Sequence, residues 1–527
     1  MKLDYMIELE GGFRIHGSEE LRSGCLRIRP VLPEGRVKAV TARVNITMAE
    51  DERFFVNGYQ TWTYCPEQGR HGFTRGMGKL PKFVIDKFGI DRYGDYFFVD
   101  YPQTPGVMHG ESYCYFRRGG NYRLIASLDE RAGYTLLRYD SRCGVLTISR
   151  DCAGVRCGGV FPALELYYAE GGEDAVFDGW FAAMGVKSRG AKRLCGYSSW
   201  YNRYQNIDAE SITGDLAGCA EHHMLRGDLF QIDDGWEPAV GDWLETDAKK
   251  FPDGLKGTVR DIHGRGFLAG LWLAPFVCQK DSKIFREHPD WLLLHDGKPW
   301  YCGSNWGGFY ALDIDNAEFV RYLEQTFSLV LDDWGFDLVK LDFLYAAAPF
   351  GDARESRAGR MTRAMELLRR LCGDKLILGC GVPLMPSFGL VDYCRISCDV
   401  GLDWDNSLIM RHTNRERVST RQAIGNSISR RQLNGRAFGN DPDVFFLRES
   451  NIRLSETDKY KLGVVNSLFG TLFLTSDNMG EYGSEAAALY ERLRTLSERA
   501  ENIRVDTDNG LTVYYDLEGT EQVLEIE

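Results

Sequence analysis

Leu338-Val339-Lys340-Leu341-Asp342 is an apolar, strand-like run that ends in an aspartate. The design returns in Leu229-Phe230-Gln231-Ile232-Asp233-Asp234 and, with a cation ahead of the acid, in the run from Val391 through Arg395 to Asp399. A β-type run that stops at Asp puts a charge where a buried strand meets a loop. In a barrel of parallel strands, that edge is where substrates bind and react. Three such ends predict acid–base or nucleophilic work by aspartates rather than by His, Ser or Cys.

Outward from these runs, between residues 190 and 482, apolar stretches alternate with amphipathic helical segments. This is the pattern of βα repeats around a parallel sheet. Strands are expected at 194–200, 228–233, 267–274, 336–342, 376–380, 391–397, 436–440 and 471–476, with helices between them such as 209–222, 317–334 and 357–371. Eight βα units over roughly 290 residues fit a (β/α)8 TIM barrel. Residues 1–172 instead show many short alternating runs separated by Gly, Asp and Pro, which predicts an N-terminal β-sandwich. A helical linker is expected over 173–189. Residues 483–527 read as a small C-terminal domain, a helix over 484–499 followed by a short β appendage.

At 527 residues the chain exceeds one ordinary domain. Its net charge of −13, without a long basic run, argues against nucleic acid and anionic membrane surfaces as partners. The first ten residues alternate polar and apolar like a strand, unlike a signal peptide. The longest apolar stretch, 266–278, is too short to span a bilayer. The 14 cysteines show no metal-type CxxC pair and are expected to be reduced thiols of a cytoplasmic protein. Aromatic residues make up 13% of the chain, which suits a large core and also sugar stacking.

Residues two apart in a strand share a face, so Lys340 and Asp342 project together. An ammonium beside Asp342 favours its charged form, which a carboxylate nucleophile needs. The same pattern also fits a structural ion pair inside a barrel. Arg395 and Asp399 share parity in the same way. An acid near an ionised Asp342 is pushed toward its protonated form, and one charged plus one protonated carboxyl is the retaining glycosidase arrangement, about 5–5.5 Å apart. Asp399 or Asp403 capping a loop remains the plainer reading. Asp233 and Asp234 both face one ligand only if the chain turns there, which Gly235 permits. Trp200, Tyr201, Trp243, Trp272 and Trp306 fall at strand ends or in loops, where one or two are expected to form a sugar-stacking wall and the rest core. The acids have no neighbouring His, and Lys340 and Arg395 stand where a cation would be repelled, so a metal-dependent barrel enzyme is the weaker reading; double displacement by two aspartates needs no cofactor.

With these residues in view, the sequence resembles the retaining α-galactosidases of glycoside hydrolase family 36, especially the short single-chain bacterial form. The resemblance runs through NGYQTW (57–62), FQIDD (230–234), WLAPF (272–276), EHPDW (287–291), KLDF (340–343), RISCD (395–399) and NDPD (440–443). It implies that Asp342 is the nucleophile and Asp399 the general acid/base. It implies further that Asp233 and Asp234 accept hydrogen bonds from O4 and O6 of a terminal galactose, that Lys340 and Arg395 bind the remaining ring hydroxyls, and that Trp272 and Tyr201 wall the pocket. Trp62 is similar to a family tryptophan that reaches from the β-domain over the barrel mouth. Cys380 matches the start of a family Cys-x-x-Gly element near the sugar 2-position, although Pro383 takes the Gly place. Phe343, Leu344 and Tyr345 follow Asp342 where longer members carry Asn and Arg.

The expected substrates are small α-galactoside oligosaccharides of the melibiose or raffinose type, and a homo-oligomer is compatible with the resemblance. A galactosyltransferase or an α-N-acetylgalactosaminidase would use the same carboxylates. A non-catalytic sugar-binding protein is the reading from another class.

Overall fold

The computed structural model describes residues 1–77, 80–221, 228–405, 413–508 and 510–526. Strands from Lys2–Leu9 to Leu164–Gly172 form two antiparallel sheets of seven and five strands. Leu3, Ile7, Val40 and Ile148 of the larger sheet meet Phe54, Phe116, Ile125 and Leu166 of the smaller one in a shared apolar core. The smaller sheet is covered on its second face too. Phe55, Tyr113, Tyr115 and Leu124 alternate with the first set and belong to the core that continues into the barrel. Helix Glu173–Met184 packs there: Trp180 lies 5.0 Å from Tyr113, and its Nε1 donates to the Ser127 carbonyl at 2.8 Å.

The central sheet is parallel and closes on itself. Its strands are β1 (Leu194–Ser198), β2 (Leu229–Ile232), β3 (Leu268–Leu273), β4 (Leu338–Leu341), β5 (Leu376–Gly379), β6 (Tyr393–Arg395), β7 in two pieces (Gly439–Asp441 and Val444–Phe445) and β8 (Leu472–Thr475). β8 pairs with β1 through Leu194 and Leu472, which completes the ring. The expected seventh strand at 436–440 is displaced. Residues 436–438 follow a 3-10 turn, and the strand itself begins at Gly439. Its first piece pairs with β6 and its second with β8. Pro442, which has no N–H, and Asp443, at φ +77°, sit at the break. The first strand is shorter than expected because Ser199 leads into helix Trp200–Arg203.

The expected helix over 317–334 is α-helical at Ala317–Ser328 and continues as one π-helical stretch, Leu329–Asp333. The expected helix over 209–222 runs Ala209–Glu221, and His222 lies outside the described residues. Helix Ser484–Arg499, assigned from sequence to the terminal domain, packs on the barrel instead. It buries Tyr490, Leu493 and Leu496, with Tyr490 5.8 Å from both Phe445 and Phe473 of β7 and β8. It serves as the eighth barrel helix. The terminal appendage is the three-stranded antiparallel sheet that begins at Glu501.

Candidate active site

The C-terminal ends of the strands surround a cavity of about 610 Å³. Its lining includes Asp233, Asp234, Trp272, Lys340, Asp342, Arg395 and Asp399, together with Trp200, Tyr201 and Trp62. Strand parity places Lys340 and Asp342 on this inner side, as the sequence predicts. The ion pair differs from the expected one. Lys340 Nζ bonds Asp233 Oδ2 at 2.8 Å, across the barrel from β4 to β2. Burial alone would depress Lys340, but the Asp233 carboxylate holds it above the ordinary lysine range. Asp342 takes other donors: Trp272 Nε1 at 3.1 Å on Oδ2 and its neighbour's N–H, from Phe343, at 2.8 Å on Oδ1. Phe343 adopts φ +52°, a left-handed conformation uncommon for a bulky residue.

Asp233 and Asp234 both face the cavity because Gly235, at φ +118°, turns the chain immediately after them. Asp234 Oδ2 accepts from Gln205 Nε2 and Trp306 Nε1, each at 2.9 Å. Burial raises its pKa, and hydrogen bonds from Glu237, Trp306 and Gln205 oppose that rise. Glu237 is buried beside it. Burial first, then the Asp234 charge, pushes Glu237 well above the carboxylate range. Glu237 is therefore the proton-carrying partner of an ionised Asp234.

Arg395 is held by three carboxylates. Nη1 meets Asp399 Oδ1 at 2.9 Å, Nε meets Asp441 Oδ2 at 3.0 Å, and Nη2 meets Asp443 Oδ1 at 2.9 Å. Asp399 keeps 39% of its side-chain surface open, whereas Asp441 and Asp443 are buried. Its pKa is raised chiefly by burial. Arg395 and Lys340 pull it down, and Asp342 pushes it up as a smaller contribution. The sequence reading gave Asp342 repulsion first place; desolvation holds it. Burial likewise pushes Asp443 up to about 6 against the pull of Arg395.

Trp62 comes from the N-terminal domain. Its ring lies 5.3 Å from Phe343 and 5.9 Å from Tyr345. Gly381, at φ +55°, makes this approach possible: a Cβ there would fall 2.9 Å from Trp62 Cη2. The Trp62 loop is pinned to the barrel by buried Arg430, which donates to the carbonyls of Thr61 at 2.6 Å and Ile396 at 2.9 Å and to Asn57 Oδ1 at 3.0 Å. Tyr201 presents its ring to the cavity while its hydroxyl donates to Asp443 Oδ2 at 2.7 Å.

The thiol expectation is corrected, and of the five aromatics four, Trp200, Tyr201, Trp272 and Trp306, line the cavity where one or two are expected, while the fifth is core as the rest are expected to be. Trp243 is wholly buried behind Trp272, 6.0 Å between ring centres, and does not line the cavity. Cys380 is buried and also absent from the lining. Burial, then the Asp342 charge, raises its thiol far above the usual range, so it is a packed apolar group. Trp306 lines the cavity, but sequence gave it only an unassigned place among the aromatics. Sequence reasoning does not single out Gln205, Glu237 or the bridging acids Asp441 and Asp443. The Asp-Pro-Asp sequence was a visible signal for the last two, obscured by the displaced seventh strand.

Six acids, Asp233, Asp234, Asp342, Asp399, Asp441 and Asp443, surround two cations. Such a field favours a positive charge developing in the cavity. Among the described residues, no group of three His, Cys, Asp or Glu is arranged to hold a metal ion.

A family model described as Melibiase matches residues 192–366. An α-galactosidase of Escherichia coli is 32% identical over 183 residues, which cover 33% of this chain and 25% of that protein's length. The chain thus aligns with only a quarter of this curated relative. An α-galactosidase from Thermus thermophilus, solved with p-nitrophenyl α-D-galactopyranoside, superposes with a TM-score of 0.76 at 27% identity, covering 98% of each chain. The same protein solved with stachyose gives 0.71 at 28% identity, over 89% of this chain and 99% of that one. The matched barrel segment, the superposition and the ring of aspartates agree: residues 192–366 match the melibiase family, and the whole chain is similar to a solved α-galactosidase.

Proposed function

We propose that this protein is an exo-acting α-galactosidase that works with retention of anomeric configuration. The observation that carries the reading is one cavity lined by both Asp342 and Asp399, in different electrostatic settings, with the Lys340–Asp233 pair and Asp234 beside them. Asp342 Oδ2 attacks C1 of the terminal galactose. Asp399, whose raised pKa favours its protonated form, gives its proton to the departing glycosidic oxygen. The resulting β-galactosyl ester on Asp342 is then hydrolysed by a water that Asp399 deprotonates, and both steps pass through an oxocarbenium-like state. Asp233, Asp234, Lys340 and Arg395 bind the ring hydroxyls, and Trp272, Tyr201 and Trp200 pack against the ring.

The substrate class is small molecules bearing a terminal α-galactose. All fourteen cysteines are unpaired and twelve are buried, which supports a reducing compartment, the cytoplasm.

The test is Asp342→Ala with an aryl α-galactoside. Turnover should fall by several orders of magnitude, and azide should restore it with formation of the β-galactosyl azide. Turnover near the wild-type rate, or an α-azide product, would refute the assignment.

A further inference from the structure

The cavity is divided by chemistry. One end carries the acids and cations described above. The other is walled by Leu80, Val84, Phe88 and Ile90 from the N-terminal domain and by Val418 from the loop after β6. Helix Lys82–Phe88 buries none of its residues. Phe88 and Val418 are each 42% exposed, so part of their apolar surface stays open to the solvent. A volume of about 610 Å³ lies in the range that takes a drug-sized ligand, larger than one sugar ring requires.

Three polar side chains of this lining are already engaged, and Ser304, Thr413 and Asn414 line it beside them. Asn305 Oδ1 accepts from Tyr93 Oη at 2.6 Å. Glu416 accepts from Thr63 Oγ1 at 2.8 Å and from Tyr96 Oη at 2.7 Å. Arg417 pairs with Asp405 at 2.5 Å. A second sugar placed here would set part of its belt of hydroxyls against aliphatic walls. An alkyl or aryl group would cover the exposed apolar surface at no hydrogen-bonding cost.

We propose that the leaving-group side of the site is built for an apolar aglycone, so that α-galactosides of alkyl or aryl alcohols are preferred to those of sugars. This rests on the galactosidase reading for the charged end. The occupant is fixed by continuity, because whatever fills the apolar end is bonded to the oxygen that Asp399 protonates.

The test is kcat/KM for methyl, butyl, hexyl, octyl and phenyl α-galactosides beside melibiose. In the wild type, kcat/KM should climb by up to about fourfold per buried methylene, and the hexyl galactoside should exceed melibiose. Growth along the alkyl arm, where the leaving oxygen hardly changes, assigns an apolar aglycone; the phenyl arm, whose oxygen leaves more readily, is read from KM alone. Val84→Asn combined with Val418→Asn should flatten the series. A flat wild-type series, or melibiose as the best substrate, overturns the proposal. So does a variant that dissociates an oligomer in light scattering yet keeps the wild-type slope, since the strip would then be covered by a second copy of the chain. If galactosides are inert but another α-glycoside with the same aglycones is cleaved, the sugar end has been misread, and the slope on that sugar still decides the aglycone question.

Discussion

Replacing Lys340 with Met isolates the electrostatics on which the sugar end depends. Lys340 and Asp233 are buried, with 8% and 3% of their side-chain surfaces exposed, and they meet at 2.8 Å. Removing one partner of such a pair typically costs about 3–5 kcal/mol, because the other charge is left in the interior. Asp233 retains Gln231 Nε2 at 3.0 Å, Ser198 Oγ at 3.4 Å and the Asp234 N–H at 3.0 Å. These donors place the expected loss at the lower end, about 3 kcal/mol at pH 8. Adding Asp233→Asn removes the stranded charge and should recover most of the loss. Urea unfolding followed by tryptophan fluorescence at pH 8 measures both changes. Activity should not recover with stability. Each variant loses charge-assisted bonds to the sugar, worth about 1.5–3 kcal/mol or roughly 10- to 150-fold in kcat/KM. A single variant within about 1 kcal/mol of the wild type at pH 8, or a double variant no more stable than the single one, would refute the reasoning.

Asp399 must be protonated in the free enzyme, so kcat/KM should fall as the pH rises through its elevated pKa. Asp399→Asn should lose that limb and cost about 10²–10⁴-fold on alkyl galactosides, with a much smaller loss for a dinitrophenyl leaving group, read from initial rates. Glu237→Gln should keep the donor to Asp234 and stay close to wild type. Glu237→Leu should raise KM by about tenfold with a smaller change in kcat, since a neutral hydrogen bond is worth about 1 kcal/mol and one to a charged group more. Glu130 is buried in the sandwich and burial pushes it up to about 7 from 4.5. Its stabilising share is therefore complete below about pH 4.5 and lost as the pH rises through 7. Glu130→Gln should relieve about 3 kcal/mol of penalty at pH 8 relative to pH 4, seen as a melting-temperature gain confined to alkaline buffer.

The barrel was legible because most strand cores are short apolar runs, three of which lead into acids, a pattern that burial on both faces imposes. β7 was misplaced because its hydrogen bonds are divided between two neighbours and no single apolar run marks it. Helix Ser484–Arg499 lies beyond the last strand and looked like part of the tail; only Tyr490 against Phe445 and Phe473 shows where it belongs. Trp243 and Trp306 were equivalent in sequence, both tryptophans in loops. A long excursion after β3, at φ +52° for Trp306 itself, carries one to Asp234, while the other fills space behind Trp272. The apolar end of the cavity was illegible for the same reason. Residues 80–90 reach it from another domain, and no periodicity records a contact between domains.

The break in β7 ties the fold to the proposed acid/base. Asp441 lies opposite Arg395 in the β6–β7 register, and the next residue is a proline that cannot extend the ladder. Asp443 then takes φ +77°, a conformation that costs on the order of 1–3 kcal/mol for a residue other than glycine. Four contacts offset that strain: Arg395 Nη2, Tyr201 Oη, the Val400 N–H and the Asn466 side chain on its carbonyl. Asp443 thus joins the loop after β1, the end of β6 and the helix before β8, although it does not line the cavity. Its charge fixes the guanidinium, and the guanidinium fixes Asp399. Because burial has already lifted Asp443 to about 6, this support weakens as the pH falls through that value. A regular seventh strand would be less strained, but its ladder would leave no break from which one carboxylate could brace both the sugar wall and the arginine that positions the proton donor.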